Sequence, residues 1–372
     1  MSDRKRLIPI TLLLLASCLP AAAQPLDRDR EILRLRAEFD AELVARWDTM
    51  LESADSGLGR NYYFTGRYLD ALVRMYEATG DAKYIDAVLE LAERMIGAAQ
   101  DRDGDGHPEW YGNEKRPDYI SYDVHGAGPI ARAVRLCTWQ PDLRDRYAKR
   151  VRPLHAWIRD HVINKWLHTR GRLAAWRDSI AHDPDYGWRE QHAMLVRIMI
   201  DSYAVEQVPV WAELARELAQ HLVNCTTHDP ACDCLTWRVS SATDTTHMNR
   251  LPTAVMLLYE NGLVIDGLYV QRMCNTLSRR TFDGVGYRNF PEGFNGPVKQ
   301  RGPYGYGIVH DGWARCWRYD RACFEQGMDV WRRWRAGKGD DPAVRACVMP
   351  DSGRLVFPAF LLGALMDNPD WR

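Results

Sequence analysis

The chain has 372 residues, 49 of them basic and 50 acidic, with 46% hydrophobic residues. A formal net charge of −1 gives no electrostatic footprint for nucleic acid, so no such partner is expected. The balance leaves room for a local basic cleft, because net charge and local potential are different quantities.

Residues 1–24 read as a secretion signal. Arg4, Lys5 and Arg6 precede an apolar run from Leu7 to Ala16 that is too short to span a bilayer, and small residues come after it. Two processing readings stay open. Ala21-Ala22-Ala23 before Gln24 fits ordinary signal-peptidase cleavage, whereas Leu15-Ala16-Ser17-Cys18 fits a bacterial lipobox and would make Cys18 an outer-membrane lipid anchor. Both predict a periplasmic or secreted protein. Residues 25–372 show no linker or composition break and read as a single catalytic domain, and about 350 residues suffice for a large core. Nine cysteines include Cys18, and an oxidising compartment predicts disulfides among the others without fixing the pairs. The segment CTTHDPACDC (225–234) reads as a disulfide-stapled loop, a metal knot with His228 being the lesser reading.

Helical periodicity dominates residues 25–372, and strand alternation is scarce. Residues 31–53 repeat apolar positions at steps of three and four, which predicts an amphipathic helix. A second helix is predicted from Tyr68 to Thr79; Gly80 stops it and Asp81 caps the next, which runs to about Ala98. Further pairs fall near 125–137 with 142–164, 190–206 with 209–223, 247–260 with 264–280, and 310–319 with 321–336. The apolar segment 355–365 closes the last layer. Pro153, Pro252 and Pro358 are expected to kink or end helices. Long loops at 101–123, 182–190 and 282–307 separate the pairs, and compact domains tolerate such loops mostly where they carry function.

Four of the predicted inner helices begin alike: a polar loop, a histidine, then an apolar run. The histidines are His125, His192, His247 and His310, spaced roughly one helical hairpin apart. If the hairpins close into a ring, all four starts lie at one rim. The loops are rich in Trp and Tyr (14 and 17 against 8 Phe), rings that suit half-wet grooves and stack on sugar faces. Trp110, Tyr111, Tyr119, Tyr122, Tyr186, Trp188, Tyr287, Tyr304 and Tyr306 all sit there, and packing onto helix ends is expected to claim about half of them. The organisation over 31–366 resembles the α/α-toroid fold of glycan-processing enzymes, uronate-polysaccharide lyases above all and also hydrolases. The fold class expected is therefore all-α, an α/α toroid of five to six hairpins, and the resemblance implies an acidic polysaccharide or oligosaccharide as substrate.

The densest local constellation is DTTHMNR, with Asp244, His247, Asn249 and Arg250. His247 and Arg250 are three apart on one helical face, and His247 can move a proton near neutral pH. β-Elimination from a uronic acid wants such a set: a base for the C5 proton, an acid for the leaving oxygen, and Asn249 or Arg250 to neutralise the carboxylate. In toroid lyases tyrosine supplies acid or base, which points to Tyr304, Tyr306 and His310 in PYGYGIVHD. His125, His192, Arg189, Trp188 and Tyr122 are the remaining candidates for binding sugar. The sequence thus favours a polysaccharide lyase. The alternative is a glycoside hydrolase, which needs two carboxylates across the scissile bond; Asp118, Asp123, Glu190, Asp244 and Asp311 are the candidates. No cofactor is required by either chemistry. Asp101, Asp103 and Asp105 before Gly106 match the opening of a calcium loop, with Gly112 where its last carboxylate belongs and Glu109 or Glu114 as substitutes, so a structural Ca²⁺ is the metal considered. The ordinary reading of the same spacing is an Asp-Gly turn.

Overall fold

A computed structural model describes residues 27–112, 119–183, 186–238, 244–289, 291–293, 306–307, 309–348 and 352–371. The signal segment with Cys18, Glu114, Asp118 and Tyr304 lie outside the described residues. The elements are α1 (Arg28–Ala54), α2 (Gly59–Thr79), α3 (Lys83–Gly97), α4 (Ile120–Trp139), α5 (Pro141–Trp157, continued by π-helical turns over Ile158–Thr169), α6 (Arg172–His182), α7 (Glu190–Glu206) and α8 (Pro209–Asn224). They continue with β1 (Thr226–Asp229), β2 (Cys234–Trp237), α9 (Thr245–Met248), α10 (Arg250–Glu260), α11 (Gly267–Asn275), α12 (Asp311–Ala314, extended by a 3₁₀ turn Arg315–Arg318), α13 (Arg321–Arg335), α14 (Pro342–Val348) and α15 (Gly353–Asp367).

Local chemistry sets many boundaries. The carboxylates of Asp27, Asp244, Asp266 and Asp320 each accept a backbone N–H from the first turn of α1, α9, α11 and α13, caps worth about 0.5–2 kcal/mol each. Gly80 ends α2 at φ 68°, its N–H donating to the Tyr76 carbonyl at 2.8 Å, a conformation that glycine adopts without strain. Pro252 falls in the first turn of α10, where a missing N–H costs little.

These helices form an α/α toroid. In the inner layer α2 packs on α4, α4 on α7, α7 on α10, α10 on α12, α12 on α15, and α15 back on α2. Outside them α3, α5, α8, α11 and α13 each follow their inner partner in the chain and pack against it, or in α13 against its 3₁₀ extension. The sixth pair is made by the two ends of the helical chain, α1 lying against α15 and α2. A continuous hydrophobic core fills the space between the layers. One short antiparallel hairpin, β1 with β2, pairs Thr226 with Trp237 and Asp229 with Cys234, inside the segment read as a stapled loop. A disulfide joins Cys232 to Cys234, and Cys137, Cys225, Cys274, Cys316, Cys323 and Cys347 are buried thiols. The metal-knot reading fails. Cys225 is in the core beside His221, while His228 bonds the Asp233 carboxylate at 2.8 Å.

The axis of the ring is filled by arginines and carboxylates. Arg197 (α7) makes a bidentate pair with Asp70 (α2), which Arg315 also reaches at 3.3 Å. Arg250 (α10) meets Asp311 (α12) at 3.2 Å. Further along the same helices, Arg132 (α4) bridges Glu77 and Asp201 at 2.8 and 3.4 Å, with Arg135 on Asp201 at 3.2 Å. Arg74 pairs with Glu77 and Asp367, and Arg318 with Glu260 and Asp367 at 2.8 and 2.9 Å. The pairs succeed one another in the same order along α2, α7, α10 and α12, so these inner helices run parallel with their N-termini at one rim; α4 follows α2 in the same sense, His125 beside Gly66 and Arg132 beside Glu77. On α2 the inward stripe is Tyr63, Arg67, Asp70, Arg74 and Glu77, at steps of four and three. Two glycines allow the inner helices to close on each other. A Cβ on Gly66 would lie 2.4 Å from the His125 carbonyl oxygen, and one on Gly312 only 1.6 Å from that of Asn249.

Candidate active-site cleft

His125, His247, His310, Asn249 and Arg250 all stand near the starts of inner helices, with unequal tasks. His247 stands at the start of α9, its side chain 43% exposed. Asp244, nearly buried, accepts from the His247 backbone N–H at 2.9 Å and holds the ring Nδ1 at 2.9 Å. A carboxylate on Nδ1 is the arrangement that orients a proton-transferring imidazole.

Asn249 and Arg250 are committed to the framework. The Asn249 side chain donates to Asp311 at 3.1 Å and accepts the Trp313 backbone N–H at 2.9 Å, all within the core. Arg250 pairs with Asp311. Burial alone would raise the Asp311 carboxyl, but Arg250, Arg67, Arg197 and Arg315 around it outweigh that and hold it below its ordinary range. Asp311 is therefore a buried anchor carboxylate, and neither Asn249 nor Arg250 is left to neutralise a substrate. His310 is buried as the residue preceding α12. Tyr304 lies outside the described residues. Tyr306 bridges Arg288, its ring packing over Gly286, and its hydroxyl is raised by burial and by Asp283 and Asp341.

The other histidines differ through helix phase. His125, the sixth residue of α4, points to the axis, 2% exposed. Its ring lies 4.3 Å from that of Tyr63, and neither ring nitrogen has a hydrogen-bond partner among the described residues. Burial first, then Arg250, Arg67, Arg197 and His247, holds it well below the usual imidazole range, so it is neutral. His192 turns the other way, fully buried among Trp176, Tyr186, Trp188 and His221, where burial lowers it to about 3. His192 and Trp188, expected to bind sugar, are thus core residues between α7 and its outer neighbours. Trp110, Tyr186 and Tyr287 are buried likewise. Tyr122 is half-buried, packed over Gly59 and edge-on to Tyr119 at 5.1 Å. Arg189 is exposed over the Tyr186 ring at 4.8 Å.

Of the candidate carboxylates, Asp123 is sealed between layers, accepting from Trp166 at 2.9 Å with Lys165 at 3.6 Å; Lys165 also meets the buried Glu109 at 3.0 Å. Glu190, at the start of α7, is half-buried at the rim, in contact with Ser121 at 3.4 Å. The ligand atoms of Asp101, Asp103 and Asp105 lie within 4.8 Å of one another. Each carboxylate accepts backbone N–H groups of its own loop, and the Arg170 guanidinium pairs with Asp103 and Asp105, the latter at 3.0 Å. Glu109, the suggested extra ligand, is on Lys165 instead.

The sequence reading missed Arg67. It is buried (2% exposed), lies 4.8 Å from the Tyr63 ring and 5.4 Å from that of Phe64, and makes no ion pair among the described residues. The signal that could have found it is the four-and-three spacing from Tyr63 to Glu77, which begins before the predicted helix.

No protein-family model matches the chain, and no curated protein is similar to it. Among solved structures it is similar to the α-1,6-mannanase GH76A of Salegentibacter sp. HEL1_6, at 13% identity and TM-score 0.45, over 86% of this chain and 99% of that one. Two inactive variants of that enzyme, bound to α-1,6-mannotriose and α-1,6-mannotetrose, match over the same shares at 14% identity, with TM-scores of 0.46 and 0.44. These proteins are glycoside hydrolases. The lyase expectation is corrected by the geometry: the two residues assigned to neutralise a uronate carboxylate in elimination are both locked onto Asp311.

Proposed function

We propose that the chain is a glycoside hydrolase acting on an oligo- or polysaccharide at the N-terminal rim of the toroid. The observation that carries this reading is the sorting of carboxylates. Asp123 and Asp311 are consumed in buried polar contacts, whereas Glu190 and the Asp244–His247 dyad stand at the starts of the adjacent inner helices α7 and α9–α10. Hydrolysis with an oxocarbenium-like transition state asks for two acidic groups facing each other across the sugar. Glu190 supplies one, and buried Asp244 acts through His247, whose partly exposed imidazole carries the second proton. Half-buried Tyr63, Tyr119 and Tyr122 supply ring faces for a sugar at the same rim.

The purified full chain, incubated with a panel of neutral and acidic glycans, is expected to release reducing ends without new absorbance near 235 nm. Glu190→Gln and Asp244→Asn are each expected to lower the rate by about 100-fold or more, the scale of a lost general acid or base. A rise at 235 nm, or full activity in both variants, would sink the proposal. Arg250 and Asn249 were the expected holders of an acidic sugar's carboxylate; with both engaged on Asp311, such a substrate requires a different cation.

A further inference from the structure

Among the described residues, every arginine on the toroid axis reaches a carboxylate except Arg67. A guanidinium withdrawn from water without a counter-ion is costly, and native structures retain one where something else supplies the charge. Its neighbour His125 shows the complementary shortage, two buried ring nitrogens with no partner among the described residues. The two are held by one ring. Tyr63 has the His125 ring at 4.3 Å, the Arg67 guanidinium at 4.8 Å and that of Arg250 at 5.3 Å. Arg250 pairs directly with Asp311, and Arg197 and Arg315 with Asp70, whereas Arg67 feels Asp311 only at a distance and has no carboxylate in direct contact among the described residues. Half-buried Tyr63 touches both groups, and partly exposed His247 is close enough to His125 to act on it electrostatically, which links the pair to the rim.

We infer that Arg67 and His125 form an anion subsite that receives the carboxylate of an acidic sugar residue, making the substrate a uronate-containing glycan. Arg67 offers a planar fork matched to a carboxylate, and neutral His125 donates one N–H beside it. Tyr63 keeps both groups in place and presents its ring to the sugar. Substrate binding then gives Arg67 the direct counter-ion that it lacks among the described residues. The inference rests on the hydrolase reading only for the identity of the cleft; binding does not need bond cleavage.

The test is thermal unfolding and calorimetric titration of the full chain with D-glucuronate and D-galacturonate, against D-glucose, D-galactose and sodium chloride at matched ionic strength. The wild type is expected to be stabilised by the uronates and not by the neutral sugars or salt. Arg67→Gln is expected to bind uronate about 10- to 100-fold more weakly, Arg67→Lys to retain part of the affinity, and neither to lower the midpoint of the free protein. An arginine with a purely structural role predicts the reverse, a lower midpoint and unchanged discrimination. Equal stabilisation by neutral sugars and uronates, or unchanged uronate affinity in Arg67→Gln, would overturn the inference. A protein that binds uronate through Arg67 and cuts no glycan would sink the hydrolase reading alone.

Discussion

Replacing Asp311 by Asn tests the axial charge ladder at its most loaded point. The side chain is nearly isosteric, so packing is preserved and the change is one of charge. Asp311 is fully buried and Arg250 has 4% side-chain exposure, so the 3.2 Å pair is screened by little water. Asn249 can still bond the new amide through its carbonyl, but Arg250 loses its counter-ion while Arg67, Arg197 and Arg315 remain around it. Breaking a buried pair by deleting one partner costs about 3–5 kcal/mol, chiefly through the stranded charge. Equilibrium urea unfolding monitored by tryptophan fluorescence should therefore show a lower midpoint at an unchanged slope. Adding Arg250→Met removes the stranded cation and should recover part of the loss, giving a coupling energy of about 1–3 kcal/mol in the double-mutant cycle. A loss below about 1 kcal/mol in the single variant, or additive losses in the double, would refute the view that the two residues act as one ion pair.

The same geometry sets three more expectations. Gly312→Ala puts a methyl group 1.6 Å from the Asn249 carbonyl oxygen, so α10 and α12 must separate; thermal unfolding should register a loss of at least about 1–3 kcal/mol, and an unchanged midpoint would mean that this contact is soft. His192 titrates near 3 when folded and near 6.5 when unfolded, so the unfolded chain binds the extra proton between those values. Stability is then flat above pH 6.5 and falls as pH drops toward 3, and His192→Gln should flatten that slope by about 1.4 kcal/mol per pH unit; parallel curves would contradict the assignment. Burial would raise Glu77, but Arg132, Arg74 and Arg315 bring it down to about 2. Its contribution is present above pH 4.5 and lost as pH falls through about 2, a component of the acid transition that Glu77→Gln should abolish.

The hairpin architecture was legible because apolar spacing and Gly-Asp breaks are local signals, and both survive in α2 and α3. The start of α2 was not. Tyr62, Tyr63, Phe64 and Gly66 resemble a loop, yet Gly66 is helical because α4 must approach it at the His125 carbonyl. That misplaced boundary also hid Arg67 and the beginning of the inward stripe. The four histidines looked equivalent in sequence, since a histidine near a helix start carries no record of which face it occupies. His125 is the sixth residue of its helix and His192 the third of its own, and the difference in phase sends one to the axis and the other to the outer layer. The charge ladder was invisible for a different reason: its partners lie on different helices, as with Asp70 and Arg197, 127 residues apart. The loop tryptophans and tyrosines were ambiguous between groove and core. Trp110, whose indole N–H donates to the Met95 carbonyl at 2.7 Å, shows how readily such a ring is absorbed by packing.

Closure of the ring by α1 and α15 imposes an order of events on biosynthesis. Until α15 has left the ribosome, α2 lacks one of its inner neighbours, α1 has no partner on that side, and Arg74 has no Asp367. Each earlier hairpin can form as it emerges, but the arc they make holds buried cations facing an open gap. The last helix therefore works as a clasp: it converts a row of hairpins with an exposed, charged inner wall into a sealed ring. A nascent chain truncated before residue 353 should accordingly be far more open to protease than one lacking the same length of an outer helix.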